Sequence, residues 1–131
     1  MIVDLEEKTE CGWFDLEGGG RLQLRLLSID DIREMRKQCV KTIPEYPKID
    51  GEYRRFEGTE FNTDLWREIM WDKTIMSWEQ VFDKNEIPIP VTRENKVLLM
   101  TRVAKFNKAY EDGLKALKES DAKKAATLEK N

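Results

Sequence analysis

Apolar residues recur along this chain with two different periods, and the change from one to the other marks its elements. Cys11–Leu16 and Arg21–Ser28 flank Glu17-Gly-Gly-Gly20, and Leu22, Leu24 and Leu26 alternate with Arg21, Gln23 and Arg25. A period of two gives one apolar and one wet face, and a glycine turn supplies positive φ, so these runs predict a β-hairpin. From Ser28 the period lengthens. Ser28-Ile-Asp-Asp31 places a hydroxyl cap before two acids, and Ile32, Met35, Arg36, Cys39 and Val40 follow at helical spacing. That predicts a helix over residues 29–41.

Residues 42–58 hold Pro44, Pro47, Gly51 and Gly58 among aromatics and charges, which predicts a long irregular connection pinned by Tyr46, Tyr53 and Phe56. A second helix is expected near 61–73 after Thr59–Asn62, carrying Leu65, Trp66, Ile69, Met70 and Lys73, with Trp71 widening its apolar face. Ile75, Trp78, Val81 and Phe82 continue the apolar density to a turn at Asp83–Glu86, and Pro88 and Pro90 then force an extended passage. Thr92-Arg-Glu-Asn95 starts the longest expected helix, about 93–119, with Leu99, Val103, Phe106, Tyr110, Leu114 and Leu117 at steps of three and four. The expected fold is mainly α with α+β character: an N-terminal β-hairpin followed by a small bundle of three main helices, the last one long. Residues 1–10 read as a flexible acidic arm, 11–119 as a single globular domain and 120–131 as a frayed tail.

At 131 residues one core is large enough to bury about two-thirds of the unfolded surface. A net charge of −3 and a pI near 5.2 argue against nucleic acid as the main partner, because a basic face is its usual footprint. The charge is segregated. Residues 1–20 set six acids against Lys8, and residues 42–92 set eleven against six bases, whereas residues 93–131 are net positive. That pattern suits internal pairing or an acidic partner at the basic end. Cys11 and Cys39 lack metal-type spacing, no secretory leader is visible, and no apolar run reaches the roughly 20 residues that span a bilayer. A reduced cytoplasm is therefore the expected setting, with no membrane partner.

Histidine is absent, which removes the commonest general base and any Ser-His or Cys-His pair. Asp30, Asp31 and Glu34 sit within one turn, an arrangement also open to metal ligands, but helix-start capping accounts for them. Asp83-Lys-Asn85 starts like a calcium loop, yet Ile87 stands where an oxygen ligand is needed and Pro88 where glycine is. The Gly18–Gly20 run lacks the spacing of a phosphate loop, and Tyr53-Arg-Arg-Phe56 is one short basic-aromatic patch in an acidic segment. No catalytic, cofactor or metal site is expected. The four tryptophans fit either a core or a binding surface. Core is favoured for Trp66, and Trp78 stays open between the two. The residues expected to bind a partner are Trp78, Val81, Phe82, Leu99, Val103, Phe106 and Tyr110.

Two blocks carry a family resemblance. One is Trp13-Phe14 before the glycine turn, followed by Arg21-Leu-Gln-Leu-Arg-Leu-Leu-Ser-Ile-Asp-Asp-Ile-Arg-Glu-Met-Arg-Lys37. The other runs from Ile75-Met-Ser-Trp78 through Val81, Asp83, Asn85 and Ile87-Pro-Ile-Pro-Val-Thr92 to Asn95. Together they resemble the tail assembly chaperones of long-tailed, siphovirus-like bacteriophages and prophages, over roughly a third of the chain. Glu86 departs from the glycine common in that family, and residues 42–58 have no counterpart in it. The resemblance implies a non-catalytic protein that binds the helical tape measure protein and keeps it soluble until the tail tube polymerises. It also implies tail tube protein and self-association as further contacts, the cytoplasm of the infected or lysogenic host as location, and absence from the mature virion. Lys123-Lys124 is compatible with the slippery codons of a frameshift, as any such pair is. Competing readings are a structural tail component (terminator or connector), a small host-directed inhibitor acting through its acidic segments, and, last, an enzyme.

Overall fold

The computed structural model describes residue 1 and residues 10–129. The expected acidic arm therefore lies, apart from its two ends, outside the described residues. Strands β1 (Cys11–Asp15) and β2 (Arg21–Arg25) form the expected antiparallel hairpin, with Phe14 opposite Leu22 and Gly12 opposite Leu24. Leu22 and Leu24 are fully buried while Arg21, Gln23 and Arg25 face the other side, so the alternation sorted the two faces correctly. Helix α1 (Ile29–Cys39) starts on a capping box in which the Ser28 hydroxyl accepts from Asp31 N–H and the Asp31 carboxylate accepts from Ser28 N–H.

The rest departs from the expected bundle in three ways. Residues 40–61 are a β-ribbon rather than an irregular loop: β3 (Val40–Glu45) pairs with β6 (Phe56–Phe61), and the tip carries the short pair β4 (Lys48–Ile49) and β5 (Glu52–Tyr53). Pro44 is tolerated because its missing N–H falls on the outer edge of a two-stranded ribbon. Helix α2 (Thr63–Thr74), capped by Asn62, then hands over directly to β7 (Ile75–Glu79), which joins the hairpin as a third strand. The sheet order is β1-β2-β7, all antiparallel, with a bulge that places Gln23 opposite Ser77 but Leu24 opposite Ile75.

The long C-terminal helix is two helices, so four helices replace the three expected among the described residues. Helix α3 (Arg93–Arg102) starts on Thr92, and α4 (Ala104–Glu129) follows a single non-helical residue, Val103 (φ −115°, ψ 100°). Neither glycine nor proline causes the break. Each half has a different surface to cover: α3 lies on α2, and α4 crosses β1 and β2. One straight rod cannot do both, and the Asn107 amide, donating to Met100 O at 3.1 Å, satisfies a carbonyl freed at the break. The helical backbone of α4 continues through residues 120–129, where the sequence predicted fading.

One core lies between the sheet and α3–α4, built on Leu22, Leu24, Trp71, Ile75, Trp78, Leu99, Met100, Phe106, Tyr110 and Leu117. A smaller cluster of Met35, Cys39 and Ile69 joins α1 to α2, and Met70 packs against both. Helix α4 approaches the sheet at Gly113, where an added Cβ would stand 2.7 Å from Leu24 Cδ1 and 2.9 Å from Phe14 Cδ2. Two carboxylates, those of Asp72 and Asp31, tie the elements together through three ion pairs. Lys96, itself buried, reaches the Asp72 carboxylate at 3.0 Å and Asp72 O at 2.9 Å. The Asp31 carboxylate receives Arg25 Nη1 at 2.7 Å and lies 3.6 Å from Lys73 Nζ, joining β2, α1 and α2.

Two outcomes follow from this packing. Gly113→Ala gains about 1 kcal/mol of helix propensity but overpacks a site whose Leu24 cannot retreat, at about 1–3 kcal/mol. A net loss on denaturant melting is expected, and a higher midpoint would show that the sheet gives way. Asp31 is held well below the usual carboxylate range, first by the Arg25 hydrogen bond and then by its bonds to Ser28, against the opposing effect of burial. Its contribution is therefore present above the unfolded value, near pH 4, and is lost as pH falls below it. Asp31→Asn should cost about 2 kcal/mol at neutral pH and flatten the acid limb of a stability–pH curve.

Candidate functional site

The glycine turn, the exit from β7 and the helix break meet at one end of the molecule. The turn closes with Leu16 N–H donating to Gly20 O at 2.9 Å. Gly20, at φ +91°, lies so close to β7 that a Cβ would sit 2.8 Å from Glu79 O and 2.9 Å from Gln80 O, so only glycine lets the turn lean on that strand. Gln80 itself adopts φ +56°, which turns the chain away from the sheet and sends Val81 and Phe82 along the rim. The segment beyond doubles back: Ile89 N–H donates to Val81 O, Phe82 bridges to Pro88, and the Asp83 carboxylate accepts from Asn85 N–H at 2.8 Å and Ile87 N–H at 3.1 Å. The carboxylate that resembled a calcium ligand is thus spent on holding its own turn.

These elements enclose an open groove of about 290 Å3. Leu99 and Phe106 form its floor, Leu16, Val81, Phe82 and Val103 its walls, and Gln80 part of its rim, where Glu17 and Lys105 pair at 3.7 Å. Phe82 is 53% exposed and Val103 41%. Val103 owes its exposure to the helix break, since a continuous helix would have turned it inward with Leu99 and Phe106. Such a lining can take up apolar side chains and hydrogen-bond around them; its volume is at the lower limit of small-molecule sites, roughly 300–1,000 Å3. Three other depressions are larger, about 430 Å3 at the root of the ribbon, about 460 Å3 between α2 and α3, and about 400 Å3 behind the helix break around Arg102, Asn107 and Glu111. Each gathers two apolar side chains, against six in the groove. The first is bounded mainly by Lys41, Glu60, Asn62, Thr63 and Asp64, and the second by Glu68, Arg93 and Glu94 beside Val97 and Leu98.

Five of the seven residues that the sequence nominated for binding line the groove: Val81, Phe82, Leu99, Val103 and Phe106. Trp78 lies behind it, 6% exposed, with its indole N–H donating to Ile89 O at 2.7 Å and its ring edge-on to Phe106 at 5.8 Å. Tyr110 is deeper still. Its hydroxyl meets Thr74 Oγ1 at 2.9 Å, and burial raises the phenol above its ordinary pKa, with that hydrogen bond opposing. Sequence reasoning missed Leu16, Gln80 and the Glu17–Lys105 pair, which only the tertiary fold brings to Val103. It also left Trp13 unplaced; that ring lies on the wet face of the sheet with the Arg21 guanidinium 4.7 Å from its centroid. Comparison with protein-family models, with curated proteins and with solved structures returned no match.

Trp78→Ala removes a buried ring and a backbone carbonyl's partner together. A stability loss of about 3–5 kcal/mol is expected, measured by chemical denaturation. A variant that melts like the parent would return Trp78 to the surface.

Proposed function

We propose that this chain is a non-catalytic binding protein that covers an apolar helical face of a longer partner, in the manner of the phage tail assembly chaperones its two sequence blocks resemble. The partner on this reading is a tape measure protein, bound in the host cytoplasm before the tail tube forms and released before the virion is complete. The observation that carries it is the groove walled by exposed Phe82 and Val103. An apolar concavity of this size receives one or two side chains of a docking helix. The second block also supports it, because Ile75–Asn95 includes Gln80, Val81 and Phe82 of the groove's lining and the Asp83 turn that follows them.

The test is co-expression with the longest helical protein encoded just downstream, followed by pull-down and a solubility comparison. The parent should keep that protein soluble and retain it. Val103→Asp leaves the core untouched, and should weaken retention by about tenfold or more if Val103 is a contact of hot-spot rank. A partner that stays insoluble with the parent, or is retained equally by the variant, removes the reading.

A further inference from the structure

Among the described residues, the ribbon of residues 40–61 is a sheet of its own, joined to no third strand. An isolated two-stranded antiparallel pair is marginally stable in water, and β6 has β3 as its only substantial neighbour among the described elements. The two outer edges are not equivalent. Asn62 N–H donates to Cys39 O at 2.8 Å in the same register that pairs Val40 with Phe61. By antiparallel alternation Lys41, Ile43 and Glu45 therefore point their amides at β6, while Val40, Thr42 and Pro44 point outward. That outer edge is nearly spent: Val40 N–H goes to Arg36 O and Pro44 has none, so Thr42 is left with a lone outward N–H that cannot seed a ladder. On β6 the outward amides and carbonyls belong to Glu57, Thr59 and Phe61, and no other described strand pairs with them. One edge of the arm is shut and the other is open.

We infer that the open β6 edge pairs antiparallel with the β6 edge of a second copy of this chain, with Thr59 on the two-fold axis. A self-pairing must set outward residues opposite outward residues, which leaves few registers. Centring on Glu57 puts two carboxylates face to face. Centring on Thr59 sets Thr59 opposite the partner's Thr59, and Glu57 opposite the partner's Phe61. Because Thr42 already pairs with Thr59 and Pro44 with Glu57, this register builds a four-stranded sheet with a row of four threonines across one face. Such cross-strand threonine pairs are favourable. Gly58 then faces the partner's Glu60, which keeps its own Lys41 as cross-strand neighbour. The nearest like charge is Glu45, which lies over Gly58 and is exposed enough to swing aside. The pairing is isologous, so it closes at two copies, and it turns a marginal ribbon into a sheet of independent size.

The test uses the full chain in sedimentation and light scattering over a concentration series. The parent should form a dimer. Thr59→Pro removes an outward N–H without touching the β3 ladder and should raise the dissociation constant at least about tenfold; Thr42→Pro, on the closed edge, should leave it unchanged. The register is read separately by diamide oxidation in a Cys11→Ser background. Thr59→Cys places two Cα atoms about 5.5 Å apart in a hydrogen-bonded pair, within disulfide reach, and should cross-link. Glu57→Cys, roughly 13 Å from its own copy in this register, should not. A monomeric parent overturns the inference, as does a dimer that Thr59→Pro leaves intact. Should Thr59→Pro fail to fold by circular dichroism, the two cysteine variants decide: cross-linking at 59 and not at 57 upholds the inference, and any other pattern overturns it.

Discussion

Trp78 is the joint on which the candidate site depends. Its strand position opposite Leu22 puts the ring between the sheet and α4, its edge contact fixes Phe106, and its indole N–H holds Ile89 O. Those three contacts set the sheet, the floor of the groove and the returning arm of the Asp83 turn in one relation. Tryptophan suits this place because one side chain supplies a large apolar face and a single directed donor. With the wall and floor of the groove both referred to Trp78, the depression does not depend on the Glu17–Lys105 pair at its rim for its shape. An exposed pair of that kind contributes little by itself.

Where a signal was local, the sequence could be read closely. Ser28 and Thr92 cap helices where the pattern placed them, Asn62 caps α2, which starts two residues beyond its expected start, and the Leu22/Leu24 alternation identified the core side of the hairpin. The misreadings all arose where long-range pairing overrides local preference. Pro44 and Gly58 look like loop residues, yet an edge position and a facing Glu45 side chain let both sit in a ribbon. Ile75–Glu79 continues a helical apolar pattern, and becomes a strand because β2 offers a free edge beside it. The helix break at Val103 leaves no local mark, since nothing near it but the Asn107 amide disfavours a continuous helix. The same limit applied to the groove: its apolar lining was visible as a list, but Trp78 and Tyr110 could not be told from Phe82 and Val103 until each had neighbours. An apolar stripe says which residues avoid water, not which succeed.

The charge segregation finds a partial explanation in the fold. Acidic residues before Arg21 meet bases of the C-terminal half, as in Glu17–Lys105 and the Lys124–Glu10 contact at 2.5 Å. The middle of the chain and the C-terminal half meet again through Asp72–Lys96 and Glu68–Arg93. Much of the uneven distribution along the chain is thus compensated within it, which weakens the case for an acidic surface aimed at a host protein.

The two apolar clusters are unequal, and the inequality grades the molecule in local stability. The groove belongs to the larger one, whereas the ribbon hangs from the end of α1, whose share is Met35 and Cys39 packed on Ile69. In a single copy, backbone amides of β3 and β6 should thus exchange with solvent through small local openings, while those of β2, β7 and the part of α4 packed on them need a disruption close to global unfolding. Heat, denaturant or a protease would therefore meet a chain that loosens from the arm inward and surrenders the groove last.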